Sequence, residues 1–253
     1  MSVLKPEFHL DRARATSFGS VAARYDRYRP AYPDVLFDDL ASLGPAQALD
    51  VGCGTGKVAA ALVSRGLSVL GVEPDEQMAA IPRRHGVSVE IAGFETWEDA
   101  GRRFDLLTCG ASWHWIDPIL GLARAAQVLR RGGTPARFWN FEVPDEPTAS
   151  ALESLYTSLA LEVMPYAPFP TGDWADPVAD SGAFCSLENR IYEWSRTVTA
   201  DEWVGMVTTF SDHQRLAPER LRALEQALWI AIETLGGTVH TRGGTYLRLA
   251  RRR

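Results

Sequence analysis

Cysteine is scarce in this 253-residue chain, which has only Cys53, Cys109 and Cys185. The number is odd and no Cys-x-x-Cys occurs, so a disulfide framework is excluded as the basis of the fold, and a reducing, cytoplasmic setting is expected. Long apolar runs are missing too; none approaches the ~20 residues of a membrane span. The N-terminal stretch, with Lys5, Glu7, His9 and Asp11 close together, lacks the apolar core of a secretory signal. Positive charge is in deficit, the formal net charge being −6. Such a surface repels a phosphate backbone, and the basic cluster Arg248, Arg251, Arg252 and Arg253 reads as a solvated terminus. No spacing of His, Cys, Asp and Glu suggests a metal, and the Gly-x-Ser-x-Gly of serine hydrolases is absent. The expectation is a soluble protein without nucleic-acid, membrane or metal partners, as a monomer or homodimer. At 46% hydrophobic and 23% charged, the chain is ordinary globular material for one large α/β domain with a small cap.

From about residue 46 to 140, short apolar runs alternate with helical periodicity, the pattern of βαβ units on a parallel sheet. Strands are expected over residues 46–51, 68–72, 87–91, 104–109 and 134–139. Helices are expected over 57–65, from Asp75 to no further than Pro82, and from Asp117-Pro118 onward with Ile119, Leu122, Ala126 and Leu129 buried. Gly132-Gly133 reads as the turn into the fifth strand. Two regions fall outside this core. Residues 1–45 carry an aromatic and basic segment (Phe18, Tyr25, Tyr28, Arg29, Tyr32) and a helix burying Val35, Leu36, Leu40 and Leu43; they read as a helical lid. Residues 141–185 read as a cap, a helix followed by a Pro-rich aromatic loop over 165–177. Beyond it come a strand over 189–198, a helix opened by the capping box Thr199…Glu202, a long helix over 218–235 and a last strand over 245–249.

The run ALDVGCGTGK, residues 48–57, joins the first strand to the first helix. Its glycines are Gly52, Gly54 and Gly56, and the dinucleotide fingerprint Gly-x-Gly-x-x-Gly fails because position 57 is Lys57. Glycines here let the backbone turn sharply and a ligand lie directly on it. Asp50 just before them would repel a pyrophosphate but suits a ligand bearing an ammonium and a sulfonium. Glu73, at the C-terminal end of the second strand, can accept both hydroxyls of an adenosine ribose.

These features together resemble the class I S-adenosylmethionine-dependent methyltransferases. The resembling runs are ALDVGCGTG, GVEP, FDLLTCGASWHW and AAQVLRRGG. The N-terminal Tyr25…Arg29-Pro30…Tyr32-Pro33 and the pair His114-Trp115 are similar to the trans-aconitate methyltransferase branch. The resemblance implies a Rossmann-like, doubly wound, mostly parallel seven-stranded sheet with helices on both faces, and S-adenosyl-L-methionine as cofactor. It implies that Gly52, Gly54 and Gly56 lie against that cofactor, with Asp50 at its amino-acid end and Glu73 on the ribose. Met78 would pack on the adenine, and Phe94 and Glu95 would hold its edge, since relatives carry an acid where this chain has Gly93. Gly110 and Ala111 would lie near the methionine portion, and Tyr25 and Arg29 would close over it, Arg29 pairing with its carboxylate.

The acceptor is expected beyond the fourth strand, with His114 as catalytic base or hydrogen-bond partner and Trp113, Trp115, Trp139 and Asn140 as its walls. Tyr166, Trp174 and His213, in cap-like segments, read more as packing than as cavity lining. The reading is methyl transfer to a small-molecule acceptor, a carboxylate or hydroxyl oxygen being favoured. The alternatives are an NAD-dependent oxidoreductase and a protein that holds the cofactor without transferring its methyl.

Overall fold

The computed structural model describes residues 8–159, 161, 163–167 and 177–253. Its elements run α1 (Arg12–Ala15), α2 (Ala22–Tyr28), α3 (Asp34–Ser42), β1 (Gln47–Val51), α4 (Lys57–Val63), β2 (Ser68–Glu73), α5 (Glu76–Arg84) and β3 (Ser88–Ile91). They continue as β4 (Phe104–Gly110), α6 (Pro118–Val128), β5 (Leu129–Pro144), α7 (Thr148–Ser158), α8 (Pro177–Asp180), β6 (Phe184–Thr199), α9 (Ala200–Val207), α10 (Pro218–Thr234) and β7 (Thr238–Arg252). The strands form a seven-stranded sheet of order β3-β2-β1-β4-β5-β7-β6. The first five are parallel, and β7 is antiparallel to both β5 and β6. This is the expected Rossmann-like sheet, with its order reversing between β1 and β4.

Strand alternation sends neighbouring side chains to opposite faces. Leu49 of β1 and Leu107 of β4 join Leu122, Ala125 and Val128 of α6 on one face. Ala48 and Leu106 join Leu36 and Leu40 of α3 and Val58 and Leu62 of α4 on the other. A third cluster lies off the sheet, where Leu152 and Tyr156 of α7 meet Trp203 and Met206 of α9 and Leu224 and Leu228 of α10.

Several boundaries differ from expectation, each for a local reason. Helix α5 runs through Pro82 to Arg84; the lost Pro82 donor falls near the helix end, where its carbonyl is used by the His85 and Val87 amides. Leu129 begins β5 opposite Phe104, and Gly132-Gly133 lies inside the strand beside a register shift, so Leu129 is buried in the sheet and not on α6. Ile119 is 80% exposed, because α6 turns that side away from the sheet. Val35 and Leu43 also face solvent, while Phe37 takes a core position. Strand β5 continues to Pro144, so residues 141–144 belong to the sheet and not to the cap. The last two strands are longer than the alternation indicated because they pair with each other along almost their whole length. The loop expected over 165–177, Trp174 included, falls largely outside the described residues.

Helix starts follow the sequence closely. The Asp75 side chain caps α5 at the Gln77 and Met78 amides (2.8 and 3.1 Å), and that of Asp117 caps α6 ahead of Pro118. Thr199 and Glu202 form the capping box of α9. The start of α4 instead depends on Gly56, whose φ is +80° and whose added Cβ would stand 2.4 Å from Pro82 Cβ. Gly66 has a similar φ of +84° but open space around it. Gly66→Ala is therefore expected to cost only the left-handed strain, about 1 kcal/mol, and Gly56→Ala about 2–4 kcal/mol once overpacking against α5 is added. Urea unfolding of both variants checks the difference; equal losses would refute the close approach.

Candidate active site

Ligands of open α/β sheets bind beyond the C-terminal strand ends where the order reverses. Here those ends carry two buried carboxylates. Asp50 of β1 stands in register with Gly71 of β2 on one side and Thr108 of β4 on the other. Thr108 Oγ1 donates to Asp50 Oδ1 at 2.8 Å, while Oδ2 is buried with no partner among the described residues. Burial raises the Asp50 pKa to about 7; the Thr108 bond opposes the rise and the charge of Glu73 adds to it. Glu73 ends β2. Its Oε2 accepts from the Gly54 amide at 2.8 Å and its Oε1 from the Asp75 amide at 3.0 Å. Burial outweighs both bonds and raises the Glu73 pKa to about 7 as well.

The glycine loop connects these two acids. The Gly52 amide donates to the Val72 carbonyl at 2.8 Å, tying the loop to the end of β2. Gly52 has φ +61°, and a Cβ there would lie 2.6 Å from Ser112 Cβ, so the loop packs directly on the turn after β4. That turn is itself strained: Ala111 has φ +52°, held by its amide bond to the Phe138 carbonyl at 2.8 Å. Ser112 Oγ closes the contact on the Val51 carbonyl at 2.8 Å.

Two adjoining cavities share Tyr25, Gly52, Gly54 and Gly110. The larger, about 750 Å³ counted to its open mouth, is bounded by Glu73, Met78, Phe94, Glu95, Ala111 and Trp115 and roofed by Arg12, Thr16 and Phe18 of the N-terminal segment. The smaller, about 410 Å³, is lined by Arg29, Tyr32, Asp50, Thr55 and Lys57. Thr55 Oγ1 is also buried without a partner among the described residues. Arg29 is fixed by Thr209, with Nε to Oγ1 at 2.7 Å and Nη2 to the carbonyl at 3.2 Å. Its guanidinium lies 4.3 Å from the Phe210 ring centroid and 5.1 Å from that of Tyr25.

The structure thus gathers Tyr25, Arg29, Asp50, Gly52, Gly54, Glu73, Met78, Phe94, Glu95, Gly110, Ala111 and Trp115 around one cleft. Gly56 lies behind it under Pro82. Of the residues expected at an acceptor, Trp115 alone is gathered there. Trp113 is buried in the core beside Ile116 and Leu122. Trp139 is half-buried on that same cluster, and Asn140 instead joins the Ala31 carbonyl to Thr245. His114 lines neither cavity. Its ring packs on Phe8 and Trp115, with centroids at 5.6 and 4.7 Å, and its outer edge is in water. Crowding by protein atoms, with the charges of Arg14 and Arg29, lowers its pKa to about 4. His213 is fully buried and bonded to Tyr156 Oη at 2.7 Å, and Tyr166 is buried with its hydroxyl on Glu153. Sequence reasoning missed Thr55, Ser112 and Arg12. Thr55 stood inside the glycine motif as a visible signal, whereas nothing local marked Arg12.

Residues 48–133 match the family described as a methyltransferase domain. The segment contains both acids, the glycines and the turn after β4. An uncharacterized methyltransferase of Mycobacterium tuberculosis is 36% identical over 132 residues, 51% of this chain and 54% of that protein. A ubiquinone biosynthesis O-methyltransferase of Pseudomonas syringae is 31% identical over 143 residues, 49% of this chain and 61% of that protein. The chain thus spans about half the length of the first of these relatives. Among solved structures, a protein of Anaeromyxobacter dehalogenans provisionally assigned as a type II methyltransferase superposes with TM-score 0.63 at 23% identity, covering 88% of this chain and 98% of that one. Phosphoethanolamine N-methyltransferase 2 of Haemonchus contortus, solved with S-adenosyl-L-methionine, gives TM-score 0.52 at 15% identity, covering 99% of this chain and 60% of that one. These likenesses establish the class I methyltransferase fold.

The raised acids make a pH prediction for the free protein. Folded pKa values of about 7 exceed the ordinary carboxylate value of about 4, so between those pH values the folded chain keeps protons that the unfolded chain releases. Stability from these groups is full below about pH 4 and is lost as pH rises to about 7. Asp50→Asn cannot ionise. Its melting temperature relative to the parent is expected to climb from pH 5 to pH 7.5 and then level off; a difference independent of pH would refute the buried-acid account.

Proposed function

Taking the methyltransferase domain of residues 48–133 as premise, we propose that the chain transfers a methyl group from S-adenosyl-L-methionine to an oxygen, carboxylate or hydroxyl, of a small-molecule acceptor. The observation that carries this is the pair of unpartnered buried atoms in the smaller cavity, Asp50 Oδ2 and Thr55 Oγ1, with the Arg29 guanidinium lining the same space. A buried acceptor and a buried hydroxyl without partners are costly unless a ligand supplies them. An amino acid moiety does: its ammonium suits Asp50, and its carboxylate suits Arg29 with Thr55. The larger cavity continues from there past Glu73, whose carboxylate accepts ribose hydroxyls, to Met78 and Phe94, which suit a flat apolar base.

When bound, S-adenosyl-L-methionine supplies an electrophilic methyl group on a sulfonium. The chain's own task is to hold that group in line with the acceptor and to keep water out. Tyr25, shared by both cavities, and Tyr32, which lines the smaller one, both suit hydrogen bonding to an acceptor oxygen. His114 lies outside both cavities, so we assign it to ordering the aromatic wall of Phe8 and Trp115, and no proton transfer passes through it. We further propose one functional domain in which residues 1–45 act as a lid and the part of 141–185 that lies between β5 and β6 acts as a cap. The Tyr25…Arg29-Pro30…Tyr32-Pro33 motif favours a trans-aconitate-like branch and a carboxylate acceptor.

Calorimetric titration with S-adenosyl-L-methionine and with NAD tests the cofactor. Binding of the first alone is expected, while binding of NAD alone would overturn the reading. Because the ligand's ammonium needs ionised Asp50, affinity is expected to fall by up to about tenfold per pH unit below pH 7, and Asp50→Asn should remove that slope. Glu73→Ala, losing charged hydrogen bonds to the ribose, is expected to weaken binding about 100-fold. Turnover of small carboxylic acids and phenols with labelled cofactor tests the acceptor class. With the acceptor so found, His114→Ala should retain turnover within about tenfold, whereas loss of a general base would remove 10²–10⁴-fold.

A further inference from the structure

Arg29 is held along one edge of its guanidinium. Such a group has two edges able to grip a carboxylate at two points, the side formed by Nε and Nη2 and the end formed by Nη1 and Nη2. Thr209 takes the side, its Oγ1 accepting from Nε at 2.7 Å and its carbonyl from Nη2 at 3.2 Å. Nη1 has no hydrogen-bond partner among the described residues, and the side chain lines the smaller cavity. Thr209 is fully buried. A hydroxyl has one proton to give, and that of Thr209 goes to the Met206 carbonyl at 2.6 Å, so its oxygen can only accept from Arg29. The turn carrying Thr209 is closed on itself: the Thr209, Phe210 and Gln214 amides donate to the Met206, Val207 and Phe210 carbonyls at 2.9, 3.0 and 3.0 Å. Buried His213 supports it from behind, bonded to Tyr156 Oη and meeting the Phe210 ring edge-on at 5.5 Å between centroids.

We propose that Thr209 is a positioning residue: by occupying the side of the Arg29 guanidinium it reserves the end, Nη1 with Nη2, for the donor's carboxylate. The inference rests on the reading that the smaller cavity takes the amino acid moiety of S-adenosyl-L-methionine. The Phe210 ring, 4.3 Å from the guanidinium carbon, covers one face of the group, and the Thr209 oxygen fixes its rotation in that plane. Without the hydroxyl, Arg29 keeps its charge but loses this hold, and the carboxylate must order the guanidinium as it binds. A donor that carries the carboxylate gains from a fork already placed, and the same donor without it gains nothing. Selectivity for the carboxylate-bearing donor is thereby set by a buried hydroxyl 180 positions along the chain from the arginine through which it acts.

The test is calorimetric binding of S-adenosyl-L-methionine and of its decarboxylated form, which differ only in that carboxylate, to the full chain and its variants. The parent is expected to prefer the first. Thr209→Val, which keeps the shape, and Thr209→Ala, which puts no methyl group in place of the hydroxyl, should each lower that preference about tenfold, by weakening the first ligand and leaving the second unchanged. Either variant, once shown to be folded, decides the matter, and Thr209→Ser should restore most of the preference. Thr208→Val removes the neighbouring, equally buried hydroxyl, which bonds the Val204 and Gly205 carbonyls, and should cost stability without altering the preference. In an Arg29→Ala background, Thr209→Val should change the preference no further, because its effect passes through Arg29. A parent without preference, an equal loss for both ligands in Thr209→Val, or a further loss of preference in the Arg29→Ala background would overturn the inference and leave the proposed function standing. Failure of the parent to bind either ligand would instead overturn the reading on which it rests.

Discussion

The site depends on one constraint, that two carboxylates are buried side by side at the C-terminal ends of adjacent parallel strands. Asp50 and Glu73 sit where water cannot solvate them, and each has its pKa lifted to about 7. A buried acid is tolerable only where hydrogen-bond donors meet it. The chain supplies donors to three of the four oxygens: Thr108 to Asp50 Oδ1, and the Gly54 and Asp75 amides to Glu73. The fourth, Asp50 Oδ2, has no partner among the described residues. The glycine loop follows from this need, because only a sharply turned, side-chain-free backbone brings an amide to Glu73 while the same loop rests on Ser112. Strain at Ala111 follows too, since that turn must stay close enough to receive the loop.

The half of the molecule around these acids was legible in the sequence because its signals are local. Leading acid, glycine spacing, Lys57 in place of a dinucleotide glycine, and Glu73 at a strand end each lie within a few residues of what they organise. The same holds for the caps at Asp75, Asp117 and Thr199. Signals that depend on pairing partners were not legible. The length of β6 and β7 is set by their mutual ladder, and the extension of β5 by its pairing with β7 up to Pro144 opposite Thr241. The tryptophans and the histidine after β4 misled for a related reason. Their position beyond a central strand marks the right neighbourhood, but facing the cleft or the core is decided by a turn of one residue. The strained Ala111 and the short helical turn Trp113–Trp115 rotate Trp113 inward and His114 outward, leaving Trp115 alone at the cavity.

The extended strands have a purpose in this architecture. Beyond the parallel core, β5, β6 and β7 run on as an antiparallel platform pinned by an ion pair between half-buried Arg196 and buried Glu142: Nη2 reaches Oε1 at 2.6 Å and Nε reaches Oε2 at 2.9 Å, and Thr241 Oγ1 adds a bond at 3.2 Å. Such a pair contributes little net stability but fixes geometry, because misplacing either partner leaves an uncompensated buried charge. On this platform α7, α9 and α10 build their own apolar cluster. The turn after α9 then presents Thr209 and Phe210 to Arg29, so a side chain from the beginning of the sequence is held by one from near its end.

That cross-chain contact separates what the segment matched to the methyltransferase domain explains from what it does not. Residues 48–133 hold both buried acids, the glycine loop and most of the lining of the larger cavity. Arg29, Tyr25 and Tyr32 precede that segment, and Thr209 and Phe210 follow it. The Asp50 oxygen without a partner among the described residues and Lys57 belong to the matched segment, whereas Arg29, which lines the same cavity, is held by Thr209 and Phe210 in the turn after α9. A change that moved Thr209 would therefore shift Arg29 in the smaller cavity and leave Glu73 and Met78 of the larger one in place. On the proposed reading the grip on the donor is therefore shared, Glu73 belonging to the matched segment and Arg29 to the chain before it, while Tyr25 and Tyr32 would place an acceptor's contacts outside that segment.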